Sequence, residues 1–244
     1  MIAAVAFDAA RFAAMPLIAI LRGQPAFNIA PVVRSLIDGG FAALEITMNT
    51  PGATEKISAA VACAQNRLAI GAGTVTSLAE LDLAQKAGAC FIVTPVMRPE
   101  LIAECVRRGL PIFPGAFTPT EVHQAHRLGA TMVKLFPAHR LGPDYVRDLK
   151  APFPSIRLLA TGGITPETLP EYSSAGAEGF GIGSPLFQAD RLEAGDWAWL
   201  RARAEKFCLA WKQAATPRLA RDLTPICIPG TLSNSIGSNE LDGL

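Results

Sequence analysis

The 244-residue chain is poor in charge, in histidine and in tyrosine. Its 22 basic and 21 acidic residues make 18% of the sequence, against about 25% in an ordinary globular domain. Half of the residues are apolar, and the two facts together exclude intrinsic disorder for most of the chain. A net charge of +1 gives no long-range field for nucleic acid or an anionic membrane, so neither is expected as a partner. Any anionic ligand must be held by local geometry. No uncharged apolar run approaches the ~18 residues that a membrane span needs. The cysteines (Cys63, Cys90, Cys105, Cys208 and Cys227) are odd in number and widely spaced, with no Cys-x-x-Cys pair. Reduced thiols in a cytoplasmic protein are the expectation. There are three histidines. His123 and His126 fall on one helix face with no third ligand clustered beside them, so a surface pair is expected there and no metal.

What is present is a repeated unit: a short apolar run, a turn, then an amphipathic helix. The runs are Leu17–Leu21, Ala43–Thr47, Ala69–Gly71, Phe91–Thr94, Pro111–Phe113, Met132–Leu135, Arg157–Ala160 and Gly179–Ile182. They are apolar on both faces and end mostly in Gly, Pro or Thr, as buried parallel strands do. Helices are expected over Ala26–Asp38, Ser77–Ala87 (capped by Thr76), Pro99–Arg108, Pro119–Leu128 and Pro166–Ser174 (capped by Thr165). Proline at the first helical position and glycine after the last turn mark them. A last helix is expected from about Arg191 to Gln213. The alternation predicts an α/β fold, a (β/α)8 TIM barrel. A doubly wound open sheet uses the same alternation, and the count of eight favours closure. The apolar start, Met1–Leu21, lacks a basic leader and is interrupted by Asp8 and Arg11. It is expected to be a short helix under the barrel and not a secretory signal. Residues 1–213 form the expected single domain. Residues 214–244, with three prolines and a Ser/Asn/Gly-rich end, form a tail expected to be disordered.

In a closed barrel the residues at the C-terminal strand ends face the active site. Lys134 sits inside the apolar run MVKLF. A buried ammonium is costly unless paired, and burial lowers its pKa. A neutral lysine amine attacks carbonyl carbon and forms a Schiff base. The alternative is a lysine in a structural ion pair, or one reaching to the mouth. Glu45, inside LEIT, is a second ionisable group in a strand. It is either a proton shuttle beside Lys134 or a structural partner of Arg22 or Lys134. The ends of the last two strands, TGGI and GIGS, place Gly162, Gly163, Gly183 and Ser184 where many barrels hold phosphate. They are equally the residues of tight turns. Arg22, at the end of the first strand, offers a bidentate grip for a carboxylate or one arm of a rim salt bridge. Thr74, after Gly71-Ala72-Gly73, offers a hydroxyl to the same carboxylate. Pro95 and Phe136 read as pocket walls.

The runs PLIAILRG, LEITMNTP, IGAGTV, IVTP, PGAFTPTE, VKLFPA, TGGITPE and GIGSPLF stand in one order between Pro16 and Gln213. Together they resemble the 2-keto-3-deoxy-6-phosphogluconate and 2-keto-3-deoxy-6-phosphogalactonate aldolases. The resemblance implies a trimeric barrel and an aldolase that uses no metal or other cofactor. Lys134 would form the Schiff base with a phosphorylated keto acid, and Glu45 would shuttle the proton. Arg22 and Thr74 would hold the carboxylate, and the glycines and Ser184 the phosphate. Asn49, where the phosphogluconate branch usually has Arg, resembles the phosphogalactonate branch, as do PLIAILRG and LGPDYVRDLKAPFP. Two residues depart from that branch: Thr47 stands where it often has Pro, and Thr161 precedes the glycine pair as in the phosphogluconate branch. Phosphogalactonate is the favoured substrate, with phosphogluconate or dual activity as the alternative. More distant alternatives are another phosphate-binding barrel, such as an isomerase or epimerase, and a non-catalytic sugar-phosphate binder.

Overall fold

The computed structural model describes residues 6–23 and 28–215. The expected tail after Gln213 lies outside them, apart from Ala214 and Ala215. The strands are β1 (Leu17–Leu21), β2 (Ala43–Thr47), β3 (Ala69–Gly73), β4 (Ile92–Val93), β5 (Ile112–Phe113), β6 (Gly115–Ala116), β7 (Val133–Leu135), β8 (Leu158–Thr161) and β9 (Gly179–Ile182). All paired neighbours are parallel, in the order β5-β4-β3-β2-β1-β9-β8-β7-β6. The two ends of that order, β5 and β6, are one chain segment interrupted by Pro114. Proline has no N–H to give to a ladder. Its carbonyl still accepts from Lys134 N at 2.9 Å, while Thr94 N donates to Phe113 O at 3.3 Å on the other side. Nine strand segments therefore occupy eight positions around an almost closed barrel, as the eight apolar runs predict.

The helices between them are α1 (Ala9–Ala14), α2 (Ile29–Asp38), α3 (Ala53–Ala64), α4 (Leu78–Lys86), α5 (Pro99–Arg107), α6 (Pro119–Arg127), α7 (Ala138–Lys150), α8 (Leu169–Ala175), α9 (Ala189–Glu193) and α10 (Trp197–Ala215). Several details correct the sequence reading. Ser77, not Thr76, caps α4, with its hydroxyl accepting from Glu80 N. Helix α8 starts at Leu169 with Thr168 at its N-cap, because Pro170, a second proline, sits in its first turn. Thr165 instead bonds Thr168 N through its hydroxyl in the turn before it. The expected last helix is two, α9 and α10, parted at Gly195, whose φ of +66° is left-handed. Helix α7 is kinked at Gly142 (φ 78°, ψ 170°), just before Pro143. The first residues of the expected Ala26–Asp38 helix lie outside the described part, and Asn28 caps α2 by accepting from Ala30 N.

Two apolar layers hold the barrel. The larger lies between strands and helices and includes Leu44, Ile46, Ala160 and Ile182. The smaller fills the barrel floor with Phe7, Phe12, Ile18, Phe91, Phe113, Met132 and Leu159. Helix α1 supplies the floor, as the sequence predicts: Asp8 caps it by accepting from Arg11 N at 2.9 Å. Phe12 then meets Phe113 edge-on at 5.6 Å, and Phe91 meets Phe113 at 5.8 Å. Such pairs add about 0.5–1.5 kcal/mol each beyond the area they bury. Among the described residues no helix is long and apolar enough to cross a membrane.

Candidate active site

Strand alternation decides which side chains reach the axis. On β2, Leu44 and Ile46 face the helices. Glu45 and Thr47 therefore face inward. Glu45 is 1% exposed and Lys134, on β7, is 2% exposed. Neither carboxylate oxygen of Glu45 has a hydrogen-bond partner among the described residues. Burial pushes the Glu45 carboxyl above its ordinary value, against the opposing pull of the Lys134 and Arg22 charges. Burial lowers the Lys134 amine; Glu45 opposes that shift and Arg22 adds to it. The two shifts run in the directions that suit proton exchange: an amine more readily neutral and an acid more readily protonated.

The glycines of β3 make room for this pair. Gly71 is registered beside Glu45 and Gly73 beside Thr47. A Cβ on Gly71 would overlap the Phe91 ring, and one on Gly73 would overlap Glu45. The inner face of β3 thus carries no side chain at positions 71 and 73, and the space is taken by a floor ring below and a carboxylate above.

Over Lys134 opens a pocket of about 440 Å³, whose lining includes neither Glu45 nor Thr74. Of the residues singled out from sequence, Arg22, Lys134, Phe136, Thr161, Gly162, Gly163, Gly183 and Ser184 line it together. Gly162 (φ +100°) and Gly163 (φ +72°) both lie in the left-handed region. Lys134 Nζ stands 5.2 Å from the centre of the Phe136 ring. The Thr161 hydroxyl is buried with no hydrogen-bond partner among the described residues. Its neighbour Gly181 has no room for a side chain, since a Cβ there would come 2.5 Å from Thr161 Oγ1.

Arg22 Nη2 donates to Thr74 Oγ1 at 3.3 Å, which ties together the two groups assigned to one carboxylate. Thr74 itself takes a φ of +55°. Asn49 stands exposed on the turn after β2, and Pro95 is half-buried after β4; neither is in the pocket lining. Gly115 is needed beside Pro95, because a Cβ on it would overlap the Pro95 carbonyl.

Sequence reasoning misses Ile20, Pro185 and Phe187 in the pocket wall. It also misses Thr50, which is 3% exposed. Gly23 N donates to Thr50 Oγ1 at 3.0 Å, and Thr50 Oγ1 lies 2.9 Å from Thr47 Oγ1. PLF after GIGS is a visible signal for Pro185 and Phe187. Nothing local marks Thr50. Among the described residues no three His, Cys, Asp or Glu side chains group as metal ligands, and His123 stacks on Phe153 at 5.3 Å.

A closed barrel with an ionisable pair under a glycine-rimmed mouth places the protein among the (β/α)8 enzymes. The KDPG and KHG aldolase family profile matches residues 9–202, and the chain belongs to that family. It is 41% identical over 176 residues to the 2-dehydro-3-deoxy-6-phosphogalactonate aldolase of Escherichia coli K12, covering 72% of this chain and 86% of that one. A native KDPGal structure superimposes with a TM-score of 0.76 at 37% identity, covering 82% of this chain and 96% of the other. A KDPG aldolase from Legionella pneumophila, with pyruvate captured at low pH as a covalent carbinolamine intermediate, gives 0.74 at 26% identity, over 81% and 96%. The protein is accordingly an aldolase, a carbon–carbon lyase.

Proposed function

We propose that the protein cleaves 2-keto-3-deoxy-6-phosphogalactonate to pyruvate and D-glyceraldehyde 3-phosphate through a Schiff base on Lys134. The observation that carries this reading is the buried pair Lys134 and Glu45 with its opposed pKa shifts. A fold gains nothing in stability from keeping an amine and an unbonded carboxylate in its interior. The covalent pyruvate adduct of the Legionella relative supports the same chemistry.

The neutral amine of Lys134 attacks the C2 ketone, and the resulting carbinolamine loses water to give a protonated imine. Glu45 takes the proton of the C4 hydroxyl. The C4 oxygen becomes the aldehyde carbonyl, the C3–C4 bond breaks, and its electrons move into the iminium to give an enamine. Glu45 gives its proton to C3, which restores the imine and the carboxylate, and water then releases pyruvate and the free amine. Arg22 and Thr74 hold the carboxylate, while Gly162, Gly163, Gly183 and Ser184 turn backbone N–H groups toward the phosphate. No step draws on a cofactor. The working form is a homotrimer.

The test is borohydride reduction in the presence of pyruvate, followed by peptide mass spectrometry. One reduced pyruvate joined to Lys134 supports the reading. No adduct on folded protein overturns it. The buried hydroxyl of Thr161 favours a second reading, in which the phosphogluconate epimer is also a substrate. The ratio of kcat/KM for the two epimers decides between them.

A further inference from the structure

Arg22 lies on the rim, and among the described residues its guanidinium has a single 3.3 Å bond, to Thr74. A long exposed side chain is a poor grip unless its backbone is fixed. Just after it the chain turns at Gly23 (φ +65°), with no other atom of the described residues within 4 Å of where a Cβ would stand. A hydrogen bond across 27 residues ties this turn to the end of β2, from Gly23 N to Thr50 Oγ1 at 3.0 Å. Thr50 is itself held by Thr47, whose hydroxyl lies 2.9 Å away and which is fully buried. Thr47 projects inward from β2 two residues after Glu45, one layer nearer the mouth. Thr47 thus supplies the hydroxyl that braces Thr50.

We propose that Thr50, braced by Thr47, is a positioning residue that fixes the turn after β1 and so aims Arg22 at the substrate carboxylate. This rests on the assignment of Arg22 as the carboxylate grip. The clasp touches no reacting atom. It acts on how well the carboxylate end binds and leaves the chemistry at Lys134 alone.

The experiment measures borohydride trapping of the full chain against pyruvate concentration. T50V keeps the side-chain shape but takes the acceptor from Gly23 N. The pyruvate concentration for half-maximal trapping is expected to rise about tenfold, the scale of a stripped donor. The extent of trapping at saturation should be unchanged. T50S, which keeps the hydroxyl, should restore the parent value. T47V, a milder variant with the acceptor intact, is expected to give a rise of about threefold and serves if T50V melts early. In an R22M background the effect of T50V should shrink below about twofold, because coupled residues are not additive. An unchanged half-saturation in both T50V and T47V overturns the proposal, as does a full T50V effect without Arg22. If R22M alone changes nothing, the carboxylate assignment of Arg22 fails first and takes the proposal with it.

Discussion

Glu45 and Gly73 occupy one space: the carboxylate lies where any side chain at position 73 would begin. Gly73 is in a regular strand, so its role is volume and not backbone freedom. In G73A the Glu45 side chain, a flexible one, is the part that must move. The stability loss is expected to be about 1–3 kcal/mol, the usual cost of overpacking. The kinetic loss is larger, on the order of 100-fold in kcat, since displacing a proton-transfer group by an ångström costs that much. Thermal melts and steady-state rates on the same preparation check the split. Equal small losses in both would show that Glu45 does not need its present position.

The raised Glu45 carboxyl has a pH signature once its ammonium neighbour is gone. In K134M the largest opposing charge is removed, and burial raises the carboxyl further. Above the ordinary carboxylate range the unfolded chain loses this proton while the folded chain keeps it. The unfolded state then binds fewer protons, so stability falls as pH rises through that window, by about 1.4 kcal/mol per unit. Melting temperatures of K134M should fall on this account as pH rises above the ordinary carboxylate range. Adding E45Q should flatten the slope and raise the melting point at the alkaline end.

Thr161 gives opposite signs for stability and selectivity. Its hydroxyl is buried and unbonded among the described residues. T161V is close in shape and removes an unpaired polar group, so the protein should gain about 1 kcal/mol. If the substrate lies against Thr161 as the second reading of the proposed function has it, the same change should shift the epimer ratio of kcat/KM by about tenfold or more. Melting curves and two-substrate rates measure both. A shift in stability with no shift in the ratio would make Thr161 a bystander.

The rim proposed to hold the phosphate has its own outside support. Arg203, on α10, donates Nε–H to the Pro185 carbonyl at 3.0 Å while its guanidinium lies over Phe207 at 5.3 Å. Pro185 directly follows Gly183 and Ser184. R203M should raise KM for the phosphorylated substrate about three- to tenfold, the scale of one lost hydrogen bond, and leave half-saturation by pyruvate unchanged, because pyruvate has no phosphate. Parallel changes for both ligands would point to a general loosening of the barrel.

The legible parts of this protein are those decided locally. Lys134 in MVKLF and Glu45 in LEIT announce themselves because a charge in a two-sided apolar strand needs a reason. The eight strand positions follow from runs of apolar residues closed by Gly, Pro or Thr. The illegible parts depend on partners far along the chain. The bond between Gly23 and Thr50 joins the ends of two paired strands that lie 27 residues apart in the chain. The overlap of Gly73 with Glu45 is visible only when β3 and β2 are in register. Pro114 reads as a strand end and is in fact an interruption inside one barrel position. The start of α8 is easily misplaced because two prolines, Pro166 and Pro170, each satisfy the rule for a first turn.

The aromatic floor has one more consequence. Phe7, Phe12, Phe91 and Phe113 fill the lower end, so among the described residues the barrel opens at the glycine-lined rim. Traffic through one opening is a queue. In the proposed mechanism the fragment joined to Lys134 lies behind whatever occupies the glycine-lined rim. Water consumed and water released cross the same threshold as the carbon fragments.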